Sequence, residues 1–234
     1  MSDRADLKQA ILNDLPHLWQ PGNVREVRIL SAAGRSNRTD SGYFDDPEKL
    51  AAALASGPYL ASNCYLTINP VDPVLLARSC NRFTAYAKQT TSDKDVLARR
   101  FLPMDFDAQR PAGVSSTDAE HEAALQAARD VRDWLRGKGW PEPIYADSGN
   151  GAHLLYAVDL PNDDTSKALI QQCLGAVAAW LSAPGVVFDT SVFNAARIWK
   201  LYGTTARKGD DMPERPHRQS KVLEAGDAAY DPSR

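Results

Sequence analysis

The stretch Phe101-Leu102-Pro103-Met104-Asp105-Phe106-Asp107 decides how the chain is read. Two carboxylates flank one bulky apolar side chain at the end of an apolar run. Alternate side chains of a strand point the same way, so a strand here sets Asp105 and Asp107 on one face while Phe106 packs behind them. Aspartate is a poor strand residue, and two of them in an apolar run conflict with local preference, which is how a functional site often looks. Paired carboxylates repel unless a cation joins them, and a divalent metal is the natural partner. The plainer alternative is that aspartates at a strand end belong to a turn.

On the N-terminal side, residues 4–19 predict a short helix with Leu7, Ala10, Ile11, Leu15 and Leu18 as a partial apolar stripe. Val24 to Leu30 alternates as a strand does, and Ala32 to Ser41 reads as a polar loop. Gly42 to Glu48 reads as the start of a helix, with Asp46 as N-cap and Pro47 in its first turn. Cys64 to Ile68 predicts a further strand, and Asp72-Pro73 opens another short helix. On the C-terminal side, Thr117 and Glu120 form a capping-box pattern. The helix behind it buries Ala124, Ala128, Val131 and Leu135 and stops at Gly137. Ile144-Tyr145, a Ser148-Gly149-Asn150-Gly151 turn and His153 to Tyr156 predict a hairpin. Thr165 to Leu181 predicts a helix with Leu169, Ile170, Cys173, Leu174, Val177 and Leu181 on one side. Val186 to Phe188, Arg197 to Tyr202 and Arg218 to Leu223 predict short strands. Hairpins mixed irregularly with crossover helices point to an α+β fold with a mixed sheet.

With 234 residues, 43% of them hydrophobic, the chain can build a substantial core. The net charge of −3 argues against a globally basic nucleic-acid coat, so any polyanion must meet a local basic patch. Cys64, Cys80 and Cys173 are far apart and form no C-x-x-C pair, so neither a disulfide framework nor a zinc site is expected. A polar beginning and no long apolar run lead us to expect a reduced, cytoplasmic setting and no membrane partner.

Two later stretches add to the aspartate pair. In Ser148-Gly149-Asn150-Gly151-Ala152-His153, small residues let a ligand approach the backbone. Ser148 offers a hydroxyl and His153 an imidazole to phosphate oxygens, although a plain tight hairpin explains the glycines equally well. No G-x-x-x-x-G-K-[ST] loop is present. In Phe188-Asp189, the acid follows an apolar run as Asp105 does, and a third carboxylate would complete the oxygen shell of a hard cation. Between Arg197 and Lys221 stand seven Lys or Arg against three acidic residues. A solvated face is the usual meaning of such a cluster, but beside carboxylates it also suits a metal-bound triphosphate.

Taken in order, these stretches resemble the three motifs of the archaeo-eukaryotic primase superfamily, the primase-polymerases. Asp105 and Asp107, Ser148 to His153, and Phe188-Asp189 with Arg197 carry the resemblance. Gly42 to Pro47, Tyr65 to Val71 and Thr91 to Asp95 are similar to the plasmid, phage and CRISPR-associated branch. The resemblance implies a bilobed catalytic domain with an N-terminal α/β unit over about residues 1–95 and an RRM-like unit over 96–225. A polar tail covers 226–234. The site would lie in the cleft between the units. Asp105, Asp107 and Asp189 would bind two Mg²⁺ or Mn²⁺ ions. Ser148, Gly149, His153, Arg197, Lys200 and, more distally, Arg207 would hold a nucleotide. The implied substrates are an NTP or dNTP and a single-stranded or primed DNA template, with a helicase or CRISPR adaptation proteins as candidate partners. The cysteines supply no zinc module of the kind many primases use to start chains. The alternatives are a carboxylate-metal nuclease, against which the absence of an H-x-H pair counts, and a non-catalytic single-strand-binding module.

Overall fold

The computed structural model describes residues 2–20, 22–30, 38–60 and 62–226. Most of the expected loop before Ser41 and nearly all of the polar tail lie outside these residues. Helix α1 (Ser2–Asp14) is followed by a 3₁₀ turn at Leu15–His17. The helix ends earlier than its apolar stripe suggests because Pro16 has no N–H to continue the ladder. Strands β1 (Arg25–Leu30) and β2 (Thr39–Phe44) form an antiparallel hairpin. Sequence reasoning placed Thr39 to Ser41 in a loop and Gly42 to Phe44 at a helix start; all belong to β2. The fully buried Asp40 is paid for by tertiary partners, since it accepts from Arg38, from the Tyr59 hydroxyl at 3.1 Å and from Tyr86 N at 3.0 Å. Helix α2 (Pro47–Ser56) starts as expected, with the Asp46 carboxylate accepting from Glu48 N and Lys49 N. Strand β3 (Asn63–Thr67) completes the unit, followed by a 3₁₀ turn, Pro73–Arg78, capped by Asp72.

The remaining elements are β4 (Ala98–Ala108), α3 (Asp118–Arg136), β5 (Ile144–Asp147), β6 (Gly151–Pro161), α4 (Asp164–Trp180) and β7 (Val186–Phe188). The chain ends with β8 (Ile198–Lys200), β9 (Thr205–Ala206), β10 (Arg218–Gln219) and β11 (Lys221–Glu224). From β4 to β7 the order is β-α-β-β-α-β, and these strands lie side by side as β5-β6-β4-β7. That is the ferredoxin-like arrangement, shared by RRM-like units, with β11 added at the β5 edge. The other large sheet has the order β2-β1-β3-β8. The class is the expected α+β. Among the described residues every registered pair of named strands is antiparallel, and parallel pairing is confined to an isolated bridge between Tyr43 and Cys80.

Two details place the site. Strand β8 follows β7 in the chain but pairs with β3, so the segment after Asp189 leaves one sheet and joins the other. In the first sheet, Ser41, Arg28, Tyr65 and Lys200 are cross-strand neighbours in one row. Val27, Ile29 and Leu66 occupy alternate positions and pack with Ile11, Leu50 and Leu54 of the helices. The sheet therefore has an apolar face under α1 and α2 and a polar face opposite.

Helix α3 has the capping box read from its sequence and buries Ala124, Ala128, Val131 and Leu135. In α4, Ile170, Leu174 and Val177 are buried, but Leu169 is 47% exposed. One residue before Ile170 is about 100° around the helix, which carries Leu169 off the stripe. The expected final strand is divided at the fully buried Ser220: β10 pairs with β9 and β11 with β5.

Candidate active site

Strand β4 lies at the heart of its sheet, between β6 and β7. Met104 and Phe106 are fully buried, while Asp105 and Asp107 alternate onto the other face. The β4–β6 register puts Asp105 opposite His153 and Asp107 opposite Gly151. Gly151 is required at that crossing, because a Cβ would lie 2.1 Å from the Phe106 carbonyl oxygen. His153 is buried, with Nε2 3.4 Å from Asp105 Oδ1 and Nδ1 2.9 Å from the Tyr202 hydroxyl.

Ser148 sits in the turn between β5 and β6. Its hydroxyl accepts from Gly151 N at 3.0 Å, and its own N–H donates to Gly151 O at 3.0 Å. Gly149 takes φ +92°, and a Cβ there would meet the Ala206 Cβ at 2.5 Å, so it packs this turn against β9. Asp147 fixes the turn from below: Oδ1 accepts from Gly149 N at 2.6 Å and stands 2.9 Å from His121 Nε2. Asn150 Oδ1 accepts from Ser116 N at 2.9 Å, tying the turn to the start of α3.

Of the nine residues singled out from the sequence, Asp105, Asp107, Ser148, His153, Arg197, Lys200 and Arg207 line one cleft between the two sheets, around a cavity of about 160 Å³. Gly149 and Asp189 do not line it. Asp189 N donates to Asp105 O at 3.0 Å, so the residue lies directly beside Asp105. Its Oδ1 accepts from Ser191 N at 2.7 Å. Among the described residues, no three His, Cys, Asp or Glu side chains converge into a metal-sized group.

The electrostatics divide the cleft. Burial, and then the charge of Asp105, hold the Asp107 carboxyl above the usual carboxylate range, against the opposing pull of Arg110 and His153. Arg110 Nη1 reaches Asp107 Oδ1 at 3.2 Å and Ala108 O at 3.0 Å. On the opposite wall Lys200 is only 5% exposed and donates to Thr205 O at 3.0 Å. Burial lowers its pKa to about 8. Arg197 is held by Ser191 O and Arg207 by His217 Nδ1 at 3.4 Å, and the Nε of each is buried without a partner. Among the described residues none of these three cations has a carboxylate within ion-pair distance. The cleft thus faces an underneutralised acidic pair with underneutralised basic side chains, as a metal-bound polyanion would require.

Sequence reasoning gave no individual site role to several lining residues, Asn63, Tyr65, Arg110, Asn150, Trp199 and Lys208, although Tyr65 and Asn150 fall within stretches it quoted. Asn63 brackets the Arg207 backbone, accepting from its N–H at 2.9 Å and donating to its carbonyl at 2.8 Å. The hairpin carrying Arg207 and Lys208 is latched to the start of α3. Arg215 makes two bonds to Glu120, at 2.8 and 3.0 Å, and Arg218 reaches Asp118 at 2.6 Å.

A solved structure with this fold is the AEP domain (PP-N190) of the cyanophage S-2L primase-polymerase, PrimPol. It superposes with a TM-score of 0.55 over 96% of this chain and 94% of that chain, at 14% sequence identity. No protein-family model and no curated protein matches the sequence.

Proposed function

We propose that this chain is a bilobed primase-polymerase catalytic domain that transfers a nucleotidyl group from an NTP or dNTP to a 3′-hydroxyl on a DNA template. The observation that carries the reading is the pairing across one cleft of Asp105 and Asp107 with Arg197, Lys200 and Arg207, none of which has a carboxylate partner among the described residues. The shared fold supports it. The two lobes of the proposal are the N-terminal sheet with its helices, about residues 1–95 joined by β8, and the RRM-like unit within 96–225.

The donor set fits a hard divalent ion. Asp105 and Asp107 offer oxygen ligands on one face, and the burial and then the neighbouring Asp105 charge that raise the Asp107 carboxyl are what a bound cation offsets. Asp189, beside Asp105, is the third proposed ligand, its carboxylate turning away from Ser191 N. When bound, two Mg²⁺ or Mn²⁺ ions supply charge neutralisation at the attacking and leaving oxygens. The protein's own residues do the rest. Lys200, Arg197 and Arg207 hold the triphosphate by charge. Ser148 and His153 add hydrogen bonds, and the Gly149 turn keeps the backbone close. Removing the interaction of a buried, positioned donor with a phosphate costs about 1.5–3 kcal/mol when the bond is charge-assisted.

The test is binding of a fluorescent NTP or dNTP with and without Mn²⁺. Metal-dependent binding that weakens at least tenfold in Lys200→Met and Asp105→Asn supports the assignment. Equal binding by wild type and both variants refutes it.

A further inference from the structure

The hydrogen bonds behind His153 carry information about its proton. Trp199 Nε1–H is a donor only, and it donates to the Tyr202 hydroxyl oxygen at 3.0 Å. Tyr202 is fully buried, and burial raises its pKa well above the usual value, so the hydroxyl keeps its own proton. That proton needs an acceptor, because a buried donor without one is costly. Among the described residues the remaining hydrogen-bond partner of this oxygen is His153 Nδ1, at 2.9 Å. The chain of donors therefore runs from Trp199 to Tyr202 to His153, and Nδ1 is the receiving end.

We propose that Tyr202, oriented by Trp199, locks His153 in the tautomer that carries its proton on Nε2 and leaves Nδ1 as the acceptor of the Tyr202 hydroxyl. Nε2 is the nitrogen turned toward Asp105 and the cleft. His153 then presents a fixed N–H donor to the nucleotide. It offers the cleft no lone pair, so it is neither a metal ligand through Nε2 nor a general base. The opposite tautomer would place two protons between Nδ1 and the Tyr202 oxygen and leave one of them unsatisfied in the core. The packing keeps the ring from turning to escape this: His153 and Trp199 ring centres lie 4.2 Å apart, and all three side chains are buried. Tyr202 and Trp199 are thus positioning residues for the phosphate site, acting through His153. The donor's use toward a nucleotide rests on the function proposed above, while the tautomer itself does not.

Nitrogen-15 NMR of histidine-labelled protein, without nucleotide or metal, tests the lock directly, with the His153 signals assigned by their loss in His153→Gln. The expected spectrum shows Nε2 protonated and Nδ1 as the bare nitrogen. In Tyr202→Phe, which keeps the ring and removes the hydroxyl, Nδ1-protonated signal is expected to appear. Nucleotide affinity should fall about fivefold with kcat little changed, as for one hydrogen bond. Protonated Nδ1 in the wild type, or an unchanged tautomer in Tyr202→Phe, overturns the proposal. If the tautomer shifts but neither Tyr202→Phe nor His153→Gln alters nucleotide affinity, the nucleotide role of His153 is refuted and the lock alone stands.

Discussion

Lys200→Met separates stability from binding at one position. Lys200 is 5% exposed, among the described residues its ammonium has the Thr205 carbonyl as its one hydrogen-bond partner, and burial lowers its pKa from 10.5 to about 8. That shift corresponds to about 3 kcal/mol of penalty on the charged form. A lysine whose folded pKa lies below its unfolded one carries this penalty in full below pH 8 and sheds it as the pH rises toward 10.5. Methionine has a similar shape and no charge. It forfeits the bond to Thr205, worth about 1 kcal/mol, so the variant should be more stable by about 2 kcal/mol at pH 7. For a domain of this size that raises Tm by about 4–8 °C. Urea denaturation of both proteins at pH 7 and pH 10 measures the difference. It should shrink by about 2 kcal/mol or more at the higher pH, while triphosphate binding by the variant at pH 7 is at least tenfold weaker than that of wild type. A variant no more stable than wild type at pH 7, or a difference independent of pH, refutes the picture of an uncompensated buried cation waiting for an anion.

Three further outcomes follow from the geometry. Gly151→Ala should destabilise the protein by about 3 kcal/mol or more in urea unfolding, because its Cβ would fall 2.1 Å from the Phe106 backbone oxygen. Arg215→Met should loosen the hairpin that carries Arg207 and raise the nucleotide KM about threefold with kcat unchanged, since the half-exposed pair to Glu120 is worth about 0.5–1 kcal/mol; faster trypsin cleavage after Lys208 would report the loosening, and its absence would count against the latch. Thr117→Ala should cost about 1 kcal/mol through the lost cap of α3, read as a lower urea midpoint at unchanged slope.

The sequence declared most clearly the elements whose causes are local. The Thr117–Glu120 box, the Asp46 cap and the α3 stripe form where their residues specify. The Asp105-Phe106-Asp107 alternation also survives folding, because strand period and burial agree there. What was hidden depends on distant partners. Asp40 looks like a loop residue until Arg38, Tyr59 and Tyr86 satisfy it inside a strand. The return of β8 to β3 joins Trp199 to Leu66, and no local pattern announces that pairing. Arg110 belongs to none of the stretches singled out from the sequence, and only the folded backbone shows it reaching Asp107. Tyr202 was visible as an apolar strand residue, but its role comes from a hydrogen bond to a histidine 49 positions away.

The central claim is tested most directly by incorporation of a labelled nucleotide on primed and unprimed DNA with Mg²⁺ or Mn²⁺, comparing wild type with Asp105→Asn and Asp107→Asn. The account predicts product that requires the divalent ion and falls at least a hundredfold in each variant, with both variants folded as judged by their melting curves. Equal product from wild type and either variant, or product made without a divalent ion, would contradict it.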